Sequence, residues 1–146
     1  RDSGDIKDIQ AKFDNFSHDH SIEFEDTGLV NFRFVDGGMG SINYSSSVWD
    51  SNLESSVTVI AENGTIKVGG QYMNEVEYCN VKDYTFETLP ESNPANDYGS
   101  YKGSANNHPY IFENVVDVIK NRKPISTNAL EGMKVVDIIE RIYDLK

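Results

Sequence analysis

The side chains most capable of chemistry in this sequence begin with His18-Asp19-His20, which contains a His-x-His pair. In an extended segment both imidazoles lie on one side of the backbone, and such a pair can ligate a metal ion. A third ligand would have to come from elsewhere in the chain, and the surrounding residues are typical of a polar loop between strands. We therefore expect a solvated turn here and no metal site.

Acidic side chains cluster next, at Glu23, Glu25 and Asp26. Neighbouring carboxylates can divide the roles of general acid and general base. On an alternating strand, however, Glu23 and Glu25 would share the sheet face opposite the helices, where solvation explains them equally well. The G-x-S-x-G motif of serine hydrolases and the H-E-x-x-H motif of zinc peptidases are absent. We assign no catalytic residue.

Four residues have side chains suited to binding a ligand. Trp49 and Asn52 combine an aromatic ring with an amide, a pair that suits a sugar ring, although a lone tryptophan is more often simply packed. Asn107 and His108 stand at the predicted start of a helix, where side-chain donors can hold an anionic or hydroxyl-rich group. The alternative for these two is a capping cluster that only anchors the preceding loop.

A glycine-rich run, Gly37-Gly38-Met39-Gly40, has the composition of a phosphate-binding loop. No helix is predicted after it and the G-x-G-x-x-G pattern is absent, so a tight turn at Asp36-Gly37-Gly38 explains it better. Asn63-Gly64 is predicted to supply the positive φ angles of a second tight hairpin turn. No residue of this chain is therefore expected to bind a dinucleotide cofactor.

Composition narrows the classes of protein. The 146 residues suffice for one domain, and 24 acidic against 13 basic residues give a net charge of −11. That charge disfavours nucleic acid and anionic membranes, whose phosphates it would repel. The single cysteine, Cys79, allows no disulfide or thiolate metal cluster within the chain. The sequence has no apolar run long enough to span a membrane and no signal peptide, so we expect a cytoplasmic protein.

The elements that position these side chains are strands first and helices last. Alternation of apolar and polar residues predicts about six strands in an antiparallel meander, near residues 9–13, 21–34, 39–48, 57–61, 65–68 and 76–81. The second of these is long enough to bend at Asp26-Thr27-Gly28. Residues 87–103 are predicted to be an irregular connection, because proline, glycine, asparagine and serine recur in them.

Two helices are predicted after that connection. Asn106 or Asn107 caps the first helix, and Pro124 stops it. Ser126 or Thr127 caps the second. The fold class is therefore α+β, with a single, mostly antiparallel open sheet of about six strands and two C-terminal helices packed on one face. The other face is left as a candidate interface.

The order of these features resembles the C-terminal domain of the Gfo/Idh/MocA family of NAD(P)-dependent sugar oxidoreductases. The resemblance covers nearly the whole chain and rests on four segments that follow one another as in the family. These are the segments from Ile22 to Gly28, from Phe34 to Ile42, from Glu62 to Gly70 and from Phe112 to Ile119. The segment 128–132 and the loop 98–108 are similar to nucleotide-sugar dehydrogenases of lipopolysaccharide biosynthesis, which oxidise UDP-N-acetyl-amino-sugars or uronates.

The resemblance implies a division of labour. Family members begin with a Rossmann domain that holds NAD(P), followed by a Glu-Lys-Pro motif with a catalytic lysine and by a histidine-bearing helix. This sequence contains none of these parts, so residues 1–146 would be a single C-terminal domain that is inactive alone. Trp49, Asn52, Asn107 and His108 would line the substrate side. The open sheet face would pair with further subunits in a homo-dimer or tetramer.

The alternative is a stand-alone binding or scaffold domain that uses the open sheet face for a protein or carbohydrate partner. Fold alone does not separate the two classes, because a sheet covered by two helices hosts many unrelated functions. The coding sequence upstream of Arg1 discriminates between them. A fused dinucleotide-binding domain favours the enzyme, and a start codon beside Arg1 favours the scaffold.

Overall fold

A computed structural model describes residues 5–87, 89 and 91–146 of the chain. Within that part, the elements in chain order are β1 (Ile6–Asp14), β2 (Thr27–Phe34), β3 (Met39–Ser45), β4 (Val57–Ala61), β5 (Gly64–Gly69), β6 (Glu75–Val81), β7 (Ala95–Asp97), β8 (Lys102–Ala105), α1 (His108–Asn121) and α2 (Ala129–Tyr143). All strand pairs are antiparallel. Strands followed by two helices agree with the predicted α+β class in outline.

The strands form three separate sheets, with the orders β1-β2-β3, β4-β5-β6 and β7-β8. The chain divides into two compact units. The first unit holds the described residues up to Trp49 together with Ser126–Lys146, and so contains β1 to β3 and α2. The second unit is Asp50–Ile125, which contains β4 to β8 and α1.

The predicted single sheet with both helices on one face is therefore wrong. A strand lies near each predicted position, but β3 ends at Ser45 and β4 starts only at Val57. The polar segment between them is longer than an ordinary hairpin loop, which has about two to five residues. Strand β4 does not continue the sheet of β3 and pairs with β5. The helices are divided between the units, and α2 packs against β1.

Aromatic rings cover glycines of the neighbouring strand in the first unit. In the β2–β3 ladder, Gly28 pairs with Tyr44 and Gly40 pairs with Phe32. A Cβ atom added to Gly28 would lie 2.4 Å from Cε1 of Tyr44, and one added to Gly40 would lie 2.4 Å from Cζ of Phe32. Both glycines are required because a ring approaches the backbone closely.

The core of the first unit contains Ile6 of β1, Val30 of β2 and Ile142 of α2, all of which are buried. Removing such side chains from water stabilises a fold by roughly 1.5–3 kcal/mol each. The ring of Phe13 stacks on that of Tyr143, with centroids 5.5 Å apart and planes nearly parallel. These contacts attach the last helix to the first strand.

The long strand predicted from residue 21 is shorter in the structure, because β2 begins only at Thr27. In the preceding loop, backbone carbonyl groups form hydrogen bonds with a side chain, whereas in a strand they would pair with the backbone of a neighbouring strand. Nδ2 of Asn15 donates hydrogen bonds to the carbonyl oxygens of Ile22 at 3.2 Å and Phe24 at 2.8 Å. The alternating pattern of apolar and polar residues therefore begins several residues before the strand itself starts.

Two turns of the meander were predicted, and they differ in outcome. The turn between β2 and β3 is present, with φ angles of +105° at Gly37 and +99° at Gly38. The hairpin turn between β4 and β5 falls one residue earlier than predicted, on Glu62 and Asn63, neither of which has a positive φ. Gly64 already belongs to β5, where a Cβ atom would lie 2.8 Å from Val81.

The segment predicted to be an irregular connection contains the short β7–β8 hairpin. Oδ1 of Asp97 accepts a hydrogen bond from the Gly99 amide at 2.9 Å, which stabilises the turn. The rings of Tyr98 and Tyr101 stack above it, with centroids 4.9 Å apart. Strands of three and four residues are too short to show a period in a stretch rich in turn-forming residues.

The helix starts also divide into one correct and one wrong prediction. Asn107 occupies the N-cap position of α1, as predicted, although its side chain caps no backbone amide. The N-cap of α2 is Asn128 rather than Ser126 or Thr127, and its Oδ1 accepts from the Glu131 amide at 3.0 Å. None of the described helices has the length and apolar character needed to cross a membrane.

Candidate functional site

The second unit contains an open cleft of about 870 Å³, which we call the α1 cleft. Its lining comes from the loop before β4, from β5 and the turn that leads into β6, from β8, and from the first turn of α1. A volume of this size is within the range of roughly 300–1,000 Å³ that is usual for small-molecule sites. The α1 cleft is therefore large enough for a substituted sugar.

Three of the four residues predicted to bind a ligand line this cleft: Asn52, Asn107 and His108. Asn52 lies far from the adjacent Asn107 and His108 in the sequence, and the fold of the second unit brings it to the same cleft. Trp49 belongs to the first unit, and it is 94% exposed. Its assignment to the substrate side stays a prediction.

Asn52 is held in place by a reciprocal pair of hydrogen bonds. Its Nδ2 donates to the carbonyl oxygen of Gln71 at 2.6 Å, and Nε2 of Gln71 donates to the carbonyl oxygen of Asn52 at 2.8 Å. This pair fixes the loop before β4 against the turn after β5. The Oδ1 atom of Asn52 is left to accept a hydrogen bond from a ligand hydroxyl.

At the start of α1, one of the two candidate residues anchors the preceding loop, which was the alternative to ligand binding. Nδ2 of Asn93 donates to the carbonyl oxygen of Asn106 at 2.8 Å and to Oδ1 of Asn107 at 3.2 Å. The Asn107 side chain thus helps to anchor the preceding loop. His108 is exposed, and its ring makes no hydrogen bond within the described part of the chain. The imidazole of His108 is therefore the freer of the two groups.

The remaining lining gives the cleft an apolar wall with a few charged groups. Val68, Tyr72, Val76 and Ile111 are among the apolar and aromatic residues. Lys102 of β8 is a charged lining residue that sequence reasoning missed, because its strand was not predicted. An apolar wall with scattered donors and acceptors suits a ring that carries hydroxyl groups.

Of the three residues in the acidic cluster, Glu23 is exposed, as expected, whereas Asp26 is enclosed by the fold. The Asp26 side chain is fully buried, and its carboxylate accepts hydrogen bonds from the amides of Phe16 at 3.1 Å and Ser17 at 2.8 Å. Nδ1 of His18 lies 3.1 Å from Oδ2 of the same carboxylate, and the Thr27 hydroxyl donates to Oδ1 at 2.9 Å. Solvation is expected from the sequence only for Glu23 and Glu25, and the structure adds that the loop folds around the Asp26 carboxylate.

These partners decide the protonation state of Asp26. Burial by itself raises the pKa of the carboxyl, but the opposing contribution of its hydrogen-bond donors is larger. The amides of Ser17 and Phe16 and the His18 ring, which form hydrogen bonds to the carboxylate, lower its pKa. The pKa of Asp26 therefore lies well below its ordinary value, and the group is ionised at neutral pH.

Glu25 forms a second buried carboxylate site, which joins three parts of the first unit. Its side chain is only 4% exposed, and it accepts hydrogen bonds from Nζ of Lys146 at 2.8 Å and the Tyr44 hydroxyl at 2.8 Å. The Tyr143 hydroxyl of α2 donates to the same carboxylate. Lys146 and Tyr143 lower the pKa of Glu25 to about 2. Glu25 thus faces the helix rather than the opposite side of the sheet, which corrects the prediction.

The two histidines of the His-x-His pair point to different partners. His18 contacts the buried Asp26 carboxylate, while His20 has a 76% exposed side chain whose Nδ1 lies 3.6 Å from Oδ1 of Asp19. Among the described residues, no group of three potential ligands is arranged to hold a metal ion. The contact of His18 with Asp26 joins the two ends of the loop between β1 and β2.

A smaller pocket of about 350 Å³ lies in the first unit, against β1 and the end of the chain. Lys12, Asp14, Glu25 and Lys146 are among its lining residues. Since Glu25 and Lys146 already pair with each other, binding a ligand there would require breaking an ion pair. The α1 cleft is the better candidate because its polar groups are less committed.

The described glycine-rich turn does not have the geometry of a dinucleotide site. Such a site needs a glycine-rich turn between a strand and a helix, so that amides of the helix N-terminus face the phosphates. The run from Gly37 to Gly40 instead joins β2 to the antiparallel strand β3. This turn lacks the helix that would bind phosphate.

Comparison with known proteins places the fold. No family model matches the sequence, and no curated protein matches it. The WlbA dehydrogenase from Bordetella pertussis, solved with NADH and UDP-GlcNAcA, matches with a TM-score of 0.71 and 26% identity over 96% of this chain and 36% of that one. The WlbA dehydrogenase from Chromobacterium violaceum, solved with the same two molecules, matches with a TM-score of 0.71 and 26% identity over 97% of this chain and 38% of that one.

The chain thus spans little more than a third of either dehydrogenase. Both are nucleotide-sugar dehydrogenases of the Gfo/Idh/MocA type, and they confirm the resemblance that the order of the sequence motifs predicted.

Proposed function

We propose that this chain, with its confirmed resemblance to Gfo/Idh/MocA-type dehydrogenases, is the substrate-side domain of an oxidoreductase that acts on a sugar or nucleotide sugar. One observation carries the proposal. Almost the whole chain matches dehydrogenases whose structures hold NADH and UDP-GlcNAcA, at a TM-score of 0.71. The subgroup of lipopolysaccharide biosynthesis is the setting that this match supports.

In this proposal the α1 cleft binds and orients the sugar. Asn52 offers a fixed amide oxygen, Asn107 and His108 offer polar atoms at the start of α1, and the apolar wall excludes water from one side of the ring. Trp49, which does not line this cleft, is proposed as a substrate-side residue only on the chemistry of its exposed ring. Holding a reactant in one orientation is a catalytic contribution in itself, because it lowers the entropic part of the barrier.

NAD(P) supplies hydride-accepting chemistry when it is bound. The glycine-rich turn of this chain is followed by a strand instead of a helix, which supports assigning the cofactor to an N-terminal Rossmann domain outside residues 1–146. The chain then forms a single C-terminal domain and is without dehydrogenase activity by itself. Substrate binding and subunit contact are the tasks that remain for it, in a cytoplasmic enzyme.

Subunit contact is proposed through the sheet of the second unit, in a homo-dimer or tetramer. β4 is an edge strand of that sheet, and its Val59 and Ile60 are 54% and 81% exposed. Exposed apolar residues on a sheet edge favour association with another chain. Light scattering at micromolar concentration tests this, with Ile60→Lys expected to shift the protein toward monomer. A monomeric unsubstituted protein would contradict the proposed contact.

The complete gene product tests the enzymatic function. Incubated with UDP-GlcNAcA and NAD or NADP, it is expected to form reduced nicotinamide, which is followed by its absorbance. The chain of residues 1–146 is the matched control and is expected to form none. A complete product that reduces no cofactor with any nucleotide sugar overturns the proposal.

The second candidate is a stand-alone binding or scaffold domain. The apolar residues of α1 favour it, since Phe112 and Ile119 are 69% and 74% exposed and available to a protein partner. A gene that encodes only these residues, and a product that binds sugar without oxidising it, would replace the first proposal by this one.

A further inference from the structure

We infer that the α1 cleft contains an anion-binding subsite centred on Lys102, which contacts a carboxylate or phosphate oxygen of the ligand. The class of ligand, a nucleotide-linked sugar, rests on the proposed function. The subsite itself rests on the placement and charge of Lys102. It predicts that acidic ligands bind in preference to neutral ones.

The Lys102 ammonium has no acidic partner in the described part of the chain. The nearest acidic residue in the strand register is Asp97, directly opposite on β7. Its carboxylate is engaged by the Gly99 amide at 2.9 Å, and it forms no ion pair with Lys102. Lys102 is exposed and lines the cleft, so its ammonium is accessible to an anionic ligand there.

Two other lysines of the second unit are paired, whereas Lys82 and Lys120, like Lys102, have no acidic partner within the described residues. Nζ of Lys67 pairs with the carboxylates of Glu77 and, at 3.8 Å, Glu54. Nζ of Lys123 pairs with Asp117 at 2.7 Å. In a chain with a net charge of −11, acidic partners are abundant. A lysine that faces a cleft without one is therefore available to a ligand.

The charge balance of the cleft points the same way. Among the described residues that line it, Lys102 is the one lysine or arginine, and Glu75 is the one carboxylate. Glu75 lies by the turn after β5, where its side chain packs near Gly70. The one lysine and the one carboxylate balance each other, so the cleft lacks the excess of negative charge that the chain as a whole carries. Glu75 is suited to accept hydrogen bonds from ligand hydroxyls.

An apolar wall lowers the effective dielectric constant, so an ammonium–oxyanion contact is stronger in the cleft than on an open surface. Hydrogen bonds to charged groups are also stronger than neutral ones. Removing the charge of Lys102 should therefore weaken binding of an acidic ligand by on the order of tenfold to a hundredfold.

Isothermal titration of the complete gene product tests the inference. UDP-GlcNAcA offers a carboxylate and a diphosphate, UDP-GlcNAc offers the diphosphate alone, and glucuronate and pyrophosphate offer each anion by itself. The test variant is Lys102→Met, which keeps the side-chain length without the charge. Lys82→Met is the matched control, because Lys82 belongs to the same unit but not to the cleft lining. Unfolding temperatures verify that both variants fold.

The two sources of the anion give different results. If Lys102 contacts the carboxylate, the unsubstituted protein prefers UDP-GlcNAcA over UDP-GlcNAc and Lys102→Met abolishes the preference. If it contacts phosphate, Lys102→Met weakens both nucleotide sugars equally and weakens pyrophosphate as well. Either result supports the subsite, provided that Lys82→Met binds like the unsubstituted protein.

Failure of the inference is distinct from failure of the proposed function. Nucleotide sugars that bind the unsubstituted protein and Lys102→Met equally overturn the subsite and leave the function standing. Simple anions whose binding depends on Lys102, without any binding of nucleotide sugars, support the subsite and overturn the function. Absence of binding by all four ligands overturns both.

Discussion

The two units are built from similar parts and use their polar groups in opposite ways. Each contains a three-stranded antiparallel sheet and one helix. The first unit buries Ile6, Val30 and Ile142 and encloses the Asp26 carboxylate, whereas no described hydrophobic residue of the second unit is fully buried. Polar groups satisfied within the fold stabilise it, and polar groups left facing a cleft are available to bind.

The contrast also concerns stability. A region with few buried apolar side chains opens locally at a lower free energy than a packed core. The second unit is therefore the part that a ligand or a partner subunit would stabilise most, by binding only its folded form. The first unit is expected to remain folded whether or not the cleft is occupied.

The largest effect is expected from Asp26→Asn, which removes the charge around which a loop of the first unit is folded. The amide that replaces one carboxylate oxygen would face amide donors of Phe16 and Ser17 instead of accepting from them. Leaving buried donors unsatisfied should lower the unfolding temperature by on the order of 10 °C, measured by circular dichroism. Asp19→Asn, whose side chain is 80% exposed, is the control and should change little. Equal stability of the two variants would contradict the assigned role of Asp26.

Two glycines of the first unit should respond with opposite signs. Gly28→Ala places a Cβ atom 2.4 Å from the Tyr44 ring and should cost about 1–3 kcal/mol in the free energy of unfolding. Gly132, inside α2, has no atom within 4 Å of an added Cβ. Gly132→Ala should therefore stabilise the helix by roughly 0.5–1 kcal/mol. Denaturant titration measures both, and a stabilising Gly28→Ala would refute the ring packing.

Acid should destabilise the first unit through Glu25. Its pKa is about 2 in the folded protein against an ordinary value of 4.5, because Lys146 and Tyr143 hold the ionised form. The stabilisation is therefore complete above pH 4.5 and is lost as the pH falls from there toward 2. In Glu25→Gln this part of the pH dependence should disappear from the unfolding temperature. An unchanged acid profile in the variant would show that another group is responsible.

The smallest effect on stability, and the clearest on binding, is expected in the second unit. His108→Ala in the complete gene product should raise the Michaelis constant for the nucleotide sugar more than it lowers turnover, because the residue is proposed to bind and not to react. The unfolding temperature should hardly move, since the imidazole makes no hydrogen bond within the described residues. An unchanged Michaelis constant would remove His108 from the substrate side.

Local sequence was a good guide to single elements and a poor guide to their assembly. The turn at Gly37-Gly38 and both helices were predicted from residue types and spacing, since backbone angles and helical periodicity depend on near neighbours. The cap of α2 was missed because Ser126, Thr127 and Asn128 are all suitable, and the fold selected the third. The strand before Thr27 was overextended because alternation alone carries no information about the pairing partner.

The sequence by itself determined the α+β class, the helices and the order of motifs that resembles the Gfo/Idh/MocA family, because these follow from local patterns read in order. Only the tertiary structure decided that the sheet divides, that Glu25 is enclosed by Tyr143 and Lys146, and that Lys102 joins Asn52 and His108 in one cleft. Those contacts join residues that are distant in the chain. Burial and charge pairing depend on such contacts, and the spacing of apolar and polar residues along the sequence does not predict them.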